Sequence, residues 1–125
     1  MVGSEGGSLL NAVLEKRLFN KSIVQVVSNC SCGFISIGQK WGIPVHISNK
    51  DSISEYLIDS FGRASEIFII NFSTILFSRE FVDTFAGKAY NCHPSILPAF
   101  KGLKAIYDNF SSNTLFMGCS IHQIE

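Results

Sequence analysis

Short β-branched apolar runs recur along the chain, each followed by a segment in which apolar residues return at helical spacing. This alternation constrains the fold more than any other feature. Residues 22–28 (Ser-Ile-Val-Gln-Val-Val-Ser) and 66–71 (Glu-Ile-Phe-Ile-Ile-Asn) are mostly apolar, as expected of strands covered on both faces. Residues 45–47 and 88–92 supply two more short strands. Helical spacing of Leu9, Leu10, Val13, Leu14 and Leu18 predicts a helix over 9–19 with Ser8 as its N-cap. A second helix is expected over 34–41, stopped by Gly42 and Pro44, and a third runs from a Ser52 or Ser54 cap to Ser60, with Gly62 just beyond. Residues 78–85 predict a fourth helix ending before Gly87, residues 103–110 a fifth, and residues 115–122 an extended segment.

Strands alternating with helices at this spacing are βαβ units. The expected fold is a single α/β domain over residues 1–125, a three-layer, open, mostly parallel sheet with helices on both faces. Two edges depart from that plan. Only Met1, Val2 and Gly3 precede the glycine-rich start, where a central strand belongs, and the sequence stops directly after its last extended segment. The expectation is therefore an incomplete fold, truncated in its first strand and at its C-terminal part. Such a chain would be of marginal stability, prone to self-association, or a fragment of a longer reading frame.

Composition excludes several partners. The 125 residues carry 10 Lys+Arg against 10 Asp+Glu, with only 16% charged residues and no basic run, so no nucleic-acid-binding surface is expected. No apolar stretch approaches the roughly 20 residues that cross a bilayer, and residues 1–8 hold no basic, apolar export segment. A cytoplasmic location and no membrane partner are expected. Cysteines fall at 30, 32, 92 and 119. The single-residue spacing of the first pair is too short for a zinc knuckle and no second close pair exists, so free thiols and no metal are expected.

The chemistry-bearing segment is 88–102, Lys-Ala-Tyr-Asn-Cys-His-Pro-Ser-Ile-Leu-Pro-Ala-Phe-Lys-Gly. Asn91 and His93 lie two apart at the end of an apolar strand, so an extended backbone sends both side chains to one side. Pro94 holds His93 extended and ends regular pairing. Ligands of open α/β sheets bind beyond the carboxyl ends of the strands. An amide that donates without titrating, beside an imidazole that exchanges a proton near neutrality, suits a carbonyl oxygen becoming negative. A strand-end histidine with a turn-capping asparagine has the same spacing, and spacing alone does not separate the two.

Residues 91–103, Asn-Cys-His-Pro-Ser-Ile-Leu-Pro-Ala-Phe-Lys-Gly-Leu, resemble the signature of the folate-dependent formyltransferases, most closely the phosphoribosylglycinamide formyltransferase branch. Residues 4–12, 26–29 and 118–122 agree in order and spacing, so the resemblance covers nearly the whole chain. It implies a Rossmann-like formyltransferase fold and transfer of a formyl group from 10-formyltetrahydrofolate to the amine of glycinamide ribonucleotide in purine biosynthesis. Asn91 would hold the formyl oxygen and His93 stabilise the oxyanion. The backbone N–H groups of Gly7 and Ser8, at the mouth of the first helix, would receive the substrate phosphate. Cys92 and His122 become candidate neighbours of the active site. The same glycine-rich start, met alone, fits a flexible leader equally well.

The sequence departs from the family pattern at four places. Glu5 stands where the phosphate loop usually has its first glycine, and Leu9 where it has an asparagine. Phe72 replaces a glycine and is expected to narrow the site. The aspartate that orients the family's histidine has no counterpart, since no Asp follows Asp108. Turnover is thus expected to be impaired, the alternative being an inactive, shortened relative. A formyltetrahydrofolate hydrolase-like enzyme is a further alternative, less favoured because those proteins show His-His-Ser where this chain has His93-Pro94-Ser95.

Overall fold

The computed structural model describes residues 1–18 and 22–125. Among the described residues five strands and five helices alternate: α1 (Ser8–Glu15), β1 (Val26–Ser28), α2 (Gly33–Lys40), β2 (Val45–Ile47), α3 (Ile53–Phe61), β3 (Ile69–Asn71), α4 (Arg79–Thr84), β4 (Ala89–His93), α5 (Ala105–Ser111) and β5 (Ser120–Gln123). A 3-10 turn, Lys50–Ser52, leads into α3. β1 pairs with β2 and β3 with β4 in parallel, whereas β5 runs antiparallel to β4. The α/β, mostly parallel architecture is the expected one.

The N-terminal residues do more than their number predicts. Val2 bridges in parallel to both Val27 and Asn71. Its N–H donates to the Ile70 carbonyl at 2.9 Å and its carbonyl accepts from Phe72 N–H at 2.8 Å. On the other side Gly3 N–H donates to Val27 at 3.0 Å, and Val27 N–H to Met1 at 2.8 Å. Residues 1–3 therefore occupy the central position where a shortened strand was expected, and the sheet runs β2, β1, residues 1–3, β3, β4, β5. The unpaired backbone groups anticipated at this gap are satisfied.

Alternation along the strands then fills two cores. Val26 packs with Leu10 of α1 and Phe34 and Ile35 of α2. Its neighbour Val27 faces the other way, joining Val2, Ile53 and Leu57 of α3, Phe81 of α4 and Phe85 just beyond it. Helices thus cover both faces, giving three layers. Phe72, directly after β3, packs against the first of these cores, its ring centroid 6.3 Å from that of Phe34.

Several element ends differ from expectation. Gly7 is the N-cap of α1, left-handed at φ 71°, and Ser8 is the first helical residue. The left-handed turn needs a residue without a Cβ, and an ideal Cβ there would sit 2.7 Å from Phe34 Cα. α1 stops at Glu15 and residues 16–18 form a turn, while residue 19 of the expected helix lies outside the described residues. Ser52 caps α3 by position only, and Ser54 Oγ instead accepts the Ser78 N–H at 3.0 Å. Gly62 ends α3 in a right-handed conformation. Ser78, expected inside the fourth helix, is its N-cap, its hydroxyl accepting Phe81 N–H at 3.2 Å.

The C-terminal third is far less covered. Leu115 is 92% exposed and Phe110 and Phe116 are each 77% exposed, with Ile106, Tyr107 and Ile121 also open to solvent. Of α5, only Ala105 and Asn109 are buried.

Candidate active site

β4 carries the candidate pair on one face. Its register places Asn91 between Asn71 of β3 and His122 of β5, and His93 opposite Ser120. Three side chains consequently form a ladder across three strands. Asn71 Nδ2 donates to Asn91 Oδ1 at 2.9 Å, and Asn91 Nδ2 lies 3.3 Å from His122 Nε2. An amide NH2 only donates, so Nε2 of His122 is the acceptor and the proton sits on Nδ1, 2.8 Å from the Gln123 carbonyl to which it donates. Both faces of the Asn91 amide and the tautomer of His122 are fixed together.

Asn71 anchors this ladder. It is only 2% exposed, and its own carbonyl accepts from both the N–H and the hydroxyl of Ser73, at 3.2 and 2.7 Å. Its Nδ2 also donates to the Ser73 carbonyl at 3.0 Å. Every polar atom of the side chain is engaged, so it offers one conformation to Asn91.

His93 belongs to a second set of bonds. Its Nε2 donates to the Phe100 carbonyl at 3.0 Å. That oxygen also accepts from Ser95 Oγ at 3.2 Å, while the Ser95 hydroxyl reaches the Ala99 carbonyl at 2.7 Å. Ser95 is fully buried. Phe100 sits at φ 52° and Gly102 at φ 88°, which folds the loop after Pro94 back over the strand end, and the Leu97–Pro98 bond is cis. Ser120 ties that loop to β5, accepting from Leu97 N–H at 2.9 Å and donating to the Ser95 carbonyl at 2.8 Å. Among the described residues no hydrogen-bond partner reaches His93 Nδ1.

The two sets meet where the rings of His93 and His122 stand edge to face, centroids 6.4 Å apart. Asn91 and His93 therefore share one face, with His122 beside both. Cys92, between them in sequence, points to the opposite face. There burial pushes its thiol above the usual range and the neighbouring Cys119 adds to the shift. Cys92 takes no part in either set of bonds.

Gly7 and Ser8 lie at the N-terminal end of α1, following the central residues 1–3, and so at the same carboxyl edge of the parallel strands. Only β3 separates that segment from β4, a distance of roughly 10 Å across the sheet. A cleft of about 370 Å³ is lined by Ile96, Ala99, Phe100, Asn109, Thr114, Leu115 and Phe116. It contains none of Asn91, His93, His122, Gly7 or Ser8. Among the described residues no group of three or more His, Cys, Asp or Glu is placed to hold a metal ion, and no helix is long and apolar enough to cross a membrane.

Sequence reasoning missed Asn71, Ser95, Phe100 and Ser120. Asn71 ends a predicted strand, and parallel pairing with the strand bearing Asn91 was the available signal. The roles of Ser95 and Phe100 depend on the fold of the loop and had none.

The chain is similar to known proteins in sequence and fold. A family model described as formyl transferase matches residues 1–125. The trifunctional purine biosynthetic protein adenosine-3 of Homo sapiens is 29% identical over 129 residues, covering 93% of this chain and 13% of that protein. Its counterpart in Drosophila pseudoobscura pseudoobscura is 33% identical over 113 residues, covering 82% and 8%. Among solved structures, phosphoribosylglycinamide formyltransferase from Anaplasma phagocytophilum superposes with a TM-score of 0.85 at 26% identity, over 98% of this chain and 63% of that one. A formyltetrahydrofolate deformylase from Pseudomonas syringae pv. tomato gives 0.79 at 18% identity, over 100% and 44%, a likeness of fold. This chain thus spans a small part of the curated relatives and under two thirds of the solved enzyme from Anaplasma. With the match running over its whole length, the chain belongs to the formyl transferase family.

Proposed function

We propose that residues 1–125 carry the formyl-transfer centre of a phosphoribosylglycinamide formyltransferase acting in cytoplasmic purine biosynthesis. The observation that carries this reading is the shared face of Asn91 and His93 at the carboxyl end of β4, with His122 beside both. The amine of glycinamide ribonucleotide attacks the formyl carbon of 10-formyltetrahydrofolate. A carbon–nitrogen bond forms, the bond to the folate nitrogen breaks, and the proton lost by the amine passes to that leaving nitrogen. Asn91 Nδ2 carries two protons; one is spent on His122, and the other is available to the formyl oxygen. With Nε2–H held by the Phe100 carbonyl, Nδ1 of His93 is the nitrogen that gains a proton and donates it to the oxyanion. Gly7 and Ser8 receive the phosphate one strand away, within reach of a ribose phosphate bearing an aminoacyl arm. His122 acts on Asn91, and no metal is required by this scheme.

A second reading, a family member without turnover, is favoured by one observation. Among the described residues no Asp or Glu carboxylate hydrogen-bonds to Asn91, His93 or His122. One assay separates the readings: the purified chain is mixed with glycinamide ribonucleotide and 10-formyltetrahydrofolate, and tetrahydrofolate release is followed. Release that depends on the amine and is abolished by His93→Ala supports the transferase. Formate release without the amine indicates the hydrolase-like relative. Calorimetric binding of ligands with no release indicates the silent relative.

A further inference from the structure

Away from the strand-end pair, two cysteines and a serine cluster at the N-terminus of α2. Ser28 is fully buried at the end of β1, and its hydroxyl lies 3.3 Å from Cys32 Sγ and 3.9 Å from Cys30 Sγ. The Cys30 N–H also donates to that hydroxyl, at 3.4 Å, which folds the intervening residues into a tight turn. Cys32 is the N-cap residue of α2, and Cys30 is exposed. Burial opposes ionisation of the Cys32 thiol, but the Ser28 hydroxyl, the first-turn N–H groups of Ile35 and Phe34, and Cys30 favour the thiolate and together hold it below the usual thiol range. No third ligand stands with the two sulfurs among the described residues.

We propose that Cys30 and Cys32 form a thiol–disulfide exchange site for small-molecule disulfides, with Cys32 the attacking sulfur and Cys30 the resolving one. The Cys32 thiolate attacks one sulfur of the small disulfide, forming a mixed disulfide and releasing one small thiolate. Cys30, giving up its proton to solvent, then attacks Cys32 Sγ and expels the second small thiol. Two protein thiols are oxidised and one small disulfide is reduced to two thiols, so electrons balance without another reagent. The site is mechanically joined to the glycine-rich loop. The Gly6 carbonyl lies against Gly33 where a Cβ would otherwise be, and Phe34 N–H donates to the Glu5 carbonyl at 3.1 Å. Closing a ring through residues 30–32 acts on the turn that this loop rests against.

The test uses the reduced 125-residue chain and limiting oxidised glutathione at pH 7, quenched with acid and mapped by tryptic peptides and mass spectrometry. The expected product is a loss of two hydrogens within the peptide 22–40, which holds both cysteines. In Cys30→Ser, glutathione accumulates on Cys32 about tenfold faster than on Cys119, the other exposed thiol outside the pair. Ser28→Ala slows the Cys32 reaction several-fold while Cys119, an internal check on folding, is unchanged. Glutathione reaching Cys119 as fast as Cys32, or a stable mixed disulfide on Cys32 in the unsubstituted chain with no ring closure, overturns the proposal.

Discussion

The Phe100 carbonyl oxygen accepts two hydrogen bonds, one from His93 Nε2 at 3.0 Å and one from Ser95 Oγ at 3.2 Å. The imidazole is therefore held by the same atom that fixes the fold of its own following loop. Ser95→Ala removes one of these donors and leaves the Ala99 carbonyl without its 2.7 Å partner. A stability loss of about 1–3 kcal/mol is expected from urea unfolding, in line with an unsatisfied buried group. Amide exchange should rise over residues 96–102. Unchanged protection there would show that the serine does not hold the loop.

Asn71 supports Asn91 from the neighbouring strand. Asn71→Ala strips the Asn91 carbonyl of its donor and takes the acceptor from the half-buried Ser73 N–H and hydroxyl proton, while the Ser73 oxygen keeps the Ile75 N–H at 3.2 Å. Destabilisation of about 2 kcal/mol is expected. If formyl transfer is measurable, kcat should fall more than KM rises, since the amide that meets the developing charge loses its orientation. Equal changes in both would assign Asn71 to packing alone.

Much of this arrangement was legible in the sequence. β-branched runs and helical spacing located all five strands and all five helices, because each is amphipathic or buried enough to leave a period. That Asn91 and His93 share a face was legible because strand alternation is strict, whereas their candidacy for chemistry came from the family resemblance of residues 91–103. Residues 1–3 were not legible, since a single buried valine between Met1 and Gly3 offers no run of apolar residues to read. Ser95 and Ser120 were equally hidden: their bonds exist only after the left-handed Phe100 and Gly102 turn the loop back, and no local pattern announces that turn.

The glycine-rich loop offers two substitutions of opposite sign. Glu5 adopts φ 68°, a conformation costly for any side chain, and its exposed carboxylate makes no ion pair among the described residues. Glu5→Gly is expected to raise stability by about 1 kcal/mol. Gly7→Ala places a Cβ at φ 71° against the Phe34 backbone and should cost about 2–4 kcal/mol. Thermal melts of the two variants decide this, and a stabilising Gly7→Ala would refute the loop geometry.

The amine of Met1 is enclosed beside the Gln25 carbonyl at 2.7 Å, and burial lowers it from 8.0 to about 5. Between those values the unfolded chain binds the proton and the folded chain does not, so stability rises with pH from about 5 to 8 and is lost on acidification through that window. The shift corresponds to up to about 4 kcal/mol. An isotope-labelled, dimethylated amine should titrate by NMR with a midpoint near 5; a midpoint near 8 would place it in solvent.

Leu115, Phe116 and Phe110 expose a cluster of large apolar side chains beyond what a solitary domain usually presents. Sedimentation velocity is expected to reveal concentration-dependent self-association of the 125-residue chain. Replacing Phe110 and Phe116 with serine should shift it to monomer. A sharp monomer peak at all concentrations would count against this.

Val2 is the stitch between two half-sheets, one leading into the loop of Gly7 and Ser8, the other ending in the imidazole of His93. Each half keeps its own strand pairing without it, yet their spacing relative to each other does not. Prising out this one valine should uncouple the two ends of any ligand spanning them while leaving much of the secondary structure in place.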